Sequence, residues 1–392
     1  MPAGIDSPGR LDRRPRPYLP ALYAAILIVG LLGTIHLLFV TRDGARPSEG
    51  CRFGGQSVPA AADWGGQAPA AEEAAGAAIE DLAPLTTENS WRFGFGLASW
   101  TQPAIWAEAL GAGWYLDWTA EPRPDGAPLD HWLMVRVAPR CTRPSPQEAA
   151  GLARRYPGRT WIIGNEPDVI WQDNLPPERY AALYHAYYHA IKAADPEARV
   201  AVAGVAQPTP LRLAYLDRVL NAYRRAHGQP MPVDVWTVHN FVLREERGSW
   251  GAEIPPGFGG VEAGQLYRVS DHARPDLFER QLREFRSWMA QRGYRNTPLA
   301  LTEFGILMPP DYGFPPEIVS GYLEQTLDLL MQLTDPTSGY PPDGNRLVQR
   351  WAWFSLSASS FSTGNLADMA GGRLTGLGLA YRRKVEQWGG LR

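Results

Sequence analysis

From residue 91 onward, short runs of β-branched and aromatic residues alternate with longer stretches whose apolar positions recur at helical spacing. The runs predict eight strands, at 93–98, 114–118, 132–137, 160–164, 200–205, 233–239, 299–302 and 349–354. The amphipathic stretches predict helices over 104–110, 146–156, 177–194, 211–227, 275–292 and 316–333. Between the second and third strands, 119–130 has no helical period. Eight βα-type units in roughly 300 residues predict an α/β domain closed into a (β/α)8 TIM barrel. No glycine fingerprint opens any of the helices, which argues against a doubly wound dinucleotide fold.

The first 90 residues follow another pattern. Residues 17–41 carry no formal charge, and the twenty-three residues 18–40 are almost wholly apolar. A helix of that length reaches about 34 Å, enough to cross a bilayer with some tilt. Arg10, Arg13, Arg14 and Arg16 precede it and only Arg42 and Arg46 follow closely, which predicts a cytoplasmic N-terminus over 1–16 and an extracytoplasmic remainder. The apolar stretch is longer than that of a cleaved signal peptide and runs directly into Thr41-Arg42-Asp43. The expectation is a single-pass anchor in the cell membrane at 17–41, an Ala/Gly/Pro-rich linker at 42–90 and a catalytic domain at 91–392.

Composition narrows the chemistry. Of 392 residues 45% are apolar and 20% charged, as in an ordinary globular protein, and the net charge of −3 excludes a polybasic nucleic-acid surface. The seven histidines show neither HxH nor HExxH spacing, and the two cysteines form no CxxC, so neither a metal nor another cofactor is expected. Cys51 and Cys141 are read either as one disulfide or as two free thiols. Fifteen tryptophans are more suggestive, because several fall where strands end and an indole face packs well on a sugar ring. Trp100, Trp118 and Trp353 end the first, second and eighth strands, and Trp171 follows the fourth.

Active sites of such barrels lie at the C-terminal ends of the strands. Strand four ends in Gly164-Asn165-Glu166-Pro167-Asp168 and strand seven in Thr302-Glu303-Phe304-Gly305, so two carboxylates can face each other across the mouth. Paired carboxyl groups are what glycosidic hydrolysis needs, one to move protons and one to attack or to activate water. Arg136, near the end of strand three, is costly to bury unless paired, and Glu303 is the expected partner. His239 closes strand six. The long segment 243–273, rich in Gly and Pro, is expected to form a cleft wall or a lid.

Asn165-Glu166-Pro167 and Thr302-Glu303-Phe304-Gly305 resemble the signature of glycoside hydrolase clan A, the retaining TIM-barrel glycosidases. More narrowly, Gly113-Trp114-Tyr115-Leu116-Asp117-Trp118, Val233-Asp234 with His239, and Arg350-Trp351-Ala352-Trp353-Phe354 are similar to the catalytic-core family that includes endo-β-1,3-glucanases. The resemblance covers about residues 91–382. It implies Glu166 as acid/base, Glu303 as nucleophile and Asn165 as partner of the sugar 2-hydroxyl. It also implies that His239 orients the nucleophile and that Trp353 floors the site. Relatives often carry an aromatic hydroxyl two residues beyond that His, but Phe241 stands here, so the corresponding hydrogen bond must come from elsewhere. The expected activity is hydrolysis of a polysaccharide, first a β-1,3-glucan cut internally. A non-catalytic glycan-binding barrel and a transglycosylase that remodels surface glucans are the alternatives.

Overall fold

A computed structural model describes residues 76–98, 101–122, 129–139 and 141–389. Eight parallel strands form the barrel: β1 (Phe93–Gly96), β2 (Trp114–Leu116), β3 (Asp130–Ala138), β4 (Thr160–Ile163), β5 (Arg199–Val202), β6 (Trp236–Asn240), β7 (Leu299–Phe304) and β8 (Arg350–Trp353). They pair in sequence order, β8 pairs with β1, and a parallel bridge between Ala201 and Val235 closes the ring between β5 and β6. Among the described residues, seven α-helices surround it: α1 (Pro103–Leu110), α2 (Pro146–Arg155), α3 (Pro177–Ala194), α4 (Pro210–His227), α5 (Pro275–Gln291), α6 (Pro316–Gln332) and α7 (Gly376–Trp388). The first six begin with proline, whose fixed φ suits the first helical position and whose missing N–H costs nothing there. The strands and helices predicted from residue 91 onward are therefore all present, with ends shifted by a few residues.

Alternation along the strands divides the core. Trp114, Leu116, Trp132, Met134, Ile162, Ala201, Val235, Ala300 and Ala352 fill the barrel interior. Large and small residues complement one another: Trp114 and Trp132 lie 4.7 Å apart, and a Cβ on Gly94 would come within 2.5 Å of the Trp114 ring. Trp161, Trp236, Trp351, Trp353 and the other strand leucines and valines point outward, against the helices.

Three features were not legible in the sequence pattern. β3 extends past its predicted end and folds back on Cys141–Arg143, with Arg136 opposite Arg143. α7 lacks a leading proline and starts instead at Thr375, whose side chain accepts from Gly378 N at 3.1 Å. Residues 76–90, assigned to the linker, pack on the barrel. Ala77–Ala78 pairs with Arg373–Leu374, Leu85 N donates to Glu108 O at 2.9 Å, and Asn89 Nδ2 donates to Trp388 O at 2.8 Å.

The expected membrane span at 17–41 and Cys51 lie outside the described residues. Among the described residues no helix is long and apolar enough to cross a membrane. Cys141 is disulfide-bonded.

The segment 243–273 is packed rather than loose. Glu246 bridges to Ala263, and Ile254 and Phe258 are buried. It ends on His272, which ties two active-face loops together: Nδ1 donates to Val242 O at 3.2 Å and Nε2 accepts from Leu307 N at 2.9 Å. Full burial pushes its pKa from 6.5 down to about 4. The unfolded chain therefore takes up a proton as pH falls below about 6.5, while the folded chain resists until about 4. Stability present above that window should be lost across it, by up to about 3 kcal/mol. Melting temperatures recorded from pH 7 to 4 should fall steeply for the native chain and more gently for His272→Gln. An equal slope in both would assign the titration to another group.

Candidate active site

The turn after β4 is built on backbone conformations that side chains seldom adopt. Gly164 has φ +101°, where a Cβ would sit 2.8 Å from Val137, and Glu166 has φ +43°. A non-glycine residue held there stores about 1–3 kcal/mol, which the surroundings must offset. Asp173 supplies part of that support: its Oδ2 accepts from Asn165 N at 2.6 Å and Val137 N at 3.3 Å. Arg136 binds Asp173 as well, through Nε at 3.0 Å. This corrects the expectation that Arg136 would pair with Glu303. Its charge still eases ionisation of Glu303 from a distance, but its contact is to the carboxylate that shapes the Asn165-Glu166 turn.

Arg212 of α4, buried and unexpected from the sequence, fixes the far side of the turn. It holds Asp168 through Nη1, Glu245 through Nε at 2.9 Å, and the carbonyls of Ala252 and Glu253 at 2.7 and 2.9 Å. One guanidinium thus joins the β4 turn, α4 and the segment 243–273, which makes that segment a fixed wall and not a lid. Leu243 continues the wall by packing against Val169, Ala206 and Ala252.

Glu303 reaches the mouth through an irregularity. Ala300 points into the barrel, so strict alternation would turn residue 303 outward, toward the helices. On β6, however, Val238 faces Leu301 and the next residue, His239, faces Glu303. On β8, Trp351 faces Leu301 and Trp353 faces Phe304. β7 therefore carries one extra residue at Thr302-Glu303, a β-bulge that turns Glu303 inward beside His239.

The three groups then meet. His239 Nδ1 lies 2.8 Å from Glu166 Oε1, and its Nε2 lies 3.4 Å from Glu303 Oε1. Ligand atoms of Glu166, His239 and Glu303 all lie within 4.8 Å of one another. Trp118 Nε1 donates to Glu303 Oε1 at 2.7 Å, the hydrogen bond that Phe241 cannot give. Burial lifts the pKa of Glu303 to about 7 and Glu166 adds to this, while His239, Trp118 and Arg136 pull it down. His239 is held above its ordinary 6.5: burial opposes the charged ring, but Glu303, Glu166 and Asp168 outweigh it. Asn165 is buried with its Oδ1 unpartnered, and its Nδ2 makes only a long contact with Gln172 at 3.4 Å. A buried acceptor left open inside a polar cleft is suited to a ligand hydroxyl.

The tryptophans separate. Trp118 is half-buried at the site, set edge-on to Phe354 at 5.7 Å and over Gly96, where a Cβ would strike it at 2.8 Å. Trp171 is exposed on the loop after β4. Trp353 corrects the prediction that it floors the site. It is fully buried and faces outward, packed at 5.2 Å on Phe304 and donating to Gly364 O at 2.8 Å. Phe354, one residue on, takes the position beside Trp118. Trp100 lies outside the described residues.

Among solved structures similar to this chain are three β-1,3-glucanases. A GH128 (subgroup II) endo-β-1,3-glucanase from Pseudomonas viridiflava is 20% identical, with a TM-score of 0.51 over 74% of this chain and 96% of its own. A second subgroup II endo-enzyme, from Sorangium cellulosum, is 19% identical, with a TM-score of 0.51 over 74% of this chain and 97% of its own. A subgroup III curdlan-specific exo-β-1,3-glucanase from Blastomyces gilchristii is 20% identical, with a TM-score of 0.51 over 75% of this chain and 98% of its own. The chain shares their fold. No protein-family model and no curated protein sequence matches it.

Gly204, inside the run Val202-Ala203-Gly204-Val205, is a site residue that the sequence reading passed over. A Cβ there would lie 2.6 Å from His239 Cδ2, so only glycine admits the imidazole between the carboxylates. Gly204→Ala should lower unfolding stability by about 1–3 kcal/mol. Gly151→Ala, in α2 with nothing near the added methyl, should raise it by about 0.5–1 kcal/mol. Urea denaturation of both variants checks the contrast, and equal shifts would refute the steric account.

Proposed function

We propose that the barrel is a retaining glycoside hydrolase with Glu303 as nucleophile and Glu166 as acid/base. The observation that carries this reading is the pair of buried carboxylates at the ends of β4 and β7, with ligand oxygens within 4.8 Å of each other. Retention calls for carboxyl groups about 5–5.5 Å apart, whereas inversion needs roughly 6.5–9.5 Å to admit a water between them. Glu303 suits attack, because Oε1 accepts from Trp118 and faces His239, which localises charge and orients the other oxygen. In the first step Glu303 bonds to the anomeric carbon as Glu166 passes its proton to the departing oxygen. In the second, water attacks that carbon, Glu166 takes its proton and Glu303 leaves as carboxylate. The open Oδ1 of Asn165 is assigned to the sugar 2-hydroxyl.

The shared fold supports a β-1,3-glucan as substrate, and the exposed Trp171 near the mouth supports a chain bound across several sugars. Incubation with laminarin, curdlan, β-1,4-glucan and β-mannan should release oligosaccharides of mixed length from the first two. Activity confined to mannan would reject the substrate while leaving the mechanism standing. Proton NMR should show retained configuration in the first product, and an inverted anomer would refute double displacement. Glu303→Ala should lower turnover by roughly four orders of magnitude or more. Azide should restore Glu166→Ala on an activated aryl glycoside, giving a glycosyl azide of retained configuration.

The acid limb of kcat/KM should lie near pH 7, because Glu303 must lose a proton held to about that value. His239→Gln removes the charge that draws this value down, so the limb should move to higher pH. Trp118→Phe should move it the same way and lower kcat about ten- to a hundredfold, the worth of a hydrogen bond to a charged group. An acid limb that stays near pH 4.5 in all three proteins would overturn the assignment of Glu303.

The uncharged stretch 17–41 and the arginines before it support a membrane anchor with the barrel outside the cytoplasm. Protease added to intact cells stripped of outer layers should cleave the chain. Protection until lysis would reverse the orientation.

A further inference from the structure

Away from the mouth, the outer faces of α3 and α4 gather three of the chain's seven histidines. His185 and His189 stand one turn apart on α3 with ring centroids 4.3 Å apart. His227, the last residue of α4, lies parallel to His185 at 3.6 Å. Tyr223, one turn before His227, contacts His185 Nδ1 through its hydroxyl at 2.9 Å, which leaves Nε2 as that ring's open nitrogen. His189 and His227 are exposed, and among the described residues neither has a hydrogen-bond or ion-pair partner. Three imidazoles from two packed helices are thus held together with no carboxylate among them and with most of their nitrogens uncommitted.

We propose that His185, His189 and His227 form a surface site for a borderline divalent transition-metal ion, zinc, nickel or copper, that clips α3 to α4. Two histidines four residues apart on one helix face chelate a single ion, and imidazole suits these metals above calcium or magnesium. The third ligand comes from the neighbouring helix, and water completes a tetrahedral shell with metal–nitrogen distances of about 2.0–2.1 Å. The Tyr223 hydroxyl serves as the outer partner that orients His185, a role common around ligating histidines. In the present arrangement His185 and His227 are stacked, so binding requires one ring to turn about its side-chain torsions until both nitrogens address the ion. The exposed His227, on the last turn of its helix, has the room to do so. The clip would steady the two helices that follow β4 and β5, and α4 carries Arg212, which holds the Asp168 turn.

The test uses the full chain, stripped of metal with a chelator and titrated with zinc or nickel chloride by calorimetry. One equivalent should bind with micromolar affinity, and His189→Gln and His227→Gln should each weaken binding at least tenfold with unchanged circular dichroism. Zinc should raise the melting temperature of the native chain but not of the double variant. Copper bound to the native chain should show superhyperfine coupling to three nitrogens in its electron paramagnetic resonance spectrum. Binding only at millimolar metal would overturn the proposal. So would an equivalent that survives in the double variant, since the ion would then sit elsewhere, with Glu166, His239 and Glu303 the next place to look. A copper spectrum with one nitrogen or none would overturn it too.

Discussion

Two carboxylates buried within 4.8 Å of each other repel, by at least about 3 kcal/mol at an effective dielectric near 20 if both are charged. The barrel tolerates them because His239 lies between, one ring nitrogen toward each. Much of the nearby architecture makes that placement possible. Gly204 clears the space for the ring, and Gly96 clears the space for the Trp118 indole that shares Glu303 with it. The burial that makes the pair costly also keeps water from screening it, so the same fact destabilises the site and equips it for chemistry.

Strain at Glu166 and the bulge at Glu303 are two departures from regular strand geometry at the mouth. Regular strands aim alternate side chains into the barrel, and Glu303, three residues past the inward Ala300, cannot reach the mouth from a regular position. Glu166 follows the end of β4 on a left-handed backbone step, held by Asp173 on one side and by Arg212 with Asp168 on the other. Glu303 is redirected by one extra residue in β7, held by pairing to β6 and β8 on both flanks. Each device costs regular geometry, and each is surrounded by enough hydrogen bonds to keep it fixed. The sixth loop belongs to the same system, since Glu245 and the carbonyls of Ala252 and Glu253 complete the donors' partners on Arg212.

What the sequence by itself determined is the alternating βα pattern, the barrel and the two glutamates at the ends of β4 and β7. Periodicity and proline-led helices are local, so they survive without tertiary information. The signature residues Asn165, Glu166 and Glu303 are likewise contiguous motifs. Side-chain direction was only partly legible: the bulge in β7 exchanges outside for inside at Glu303, and on β8 the inward Ala352 turns Trp353 into the outer core and leaves Phe354 beside Trp118. The partner of Arg136 was not legible either, since Asp173 lies 37 residues away and only the fold of the β4 turn brings it back. Gly204 stood in plain view inside a strand run, yet its purpose depends on a histidine 35 residues later in the neighbouring strand. Local pattern decides which elements form, whereas steric and electrostatic complementarity between distant residues is decided only once the barrel has closed.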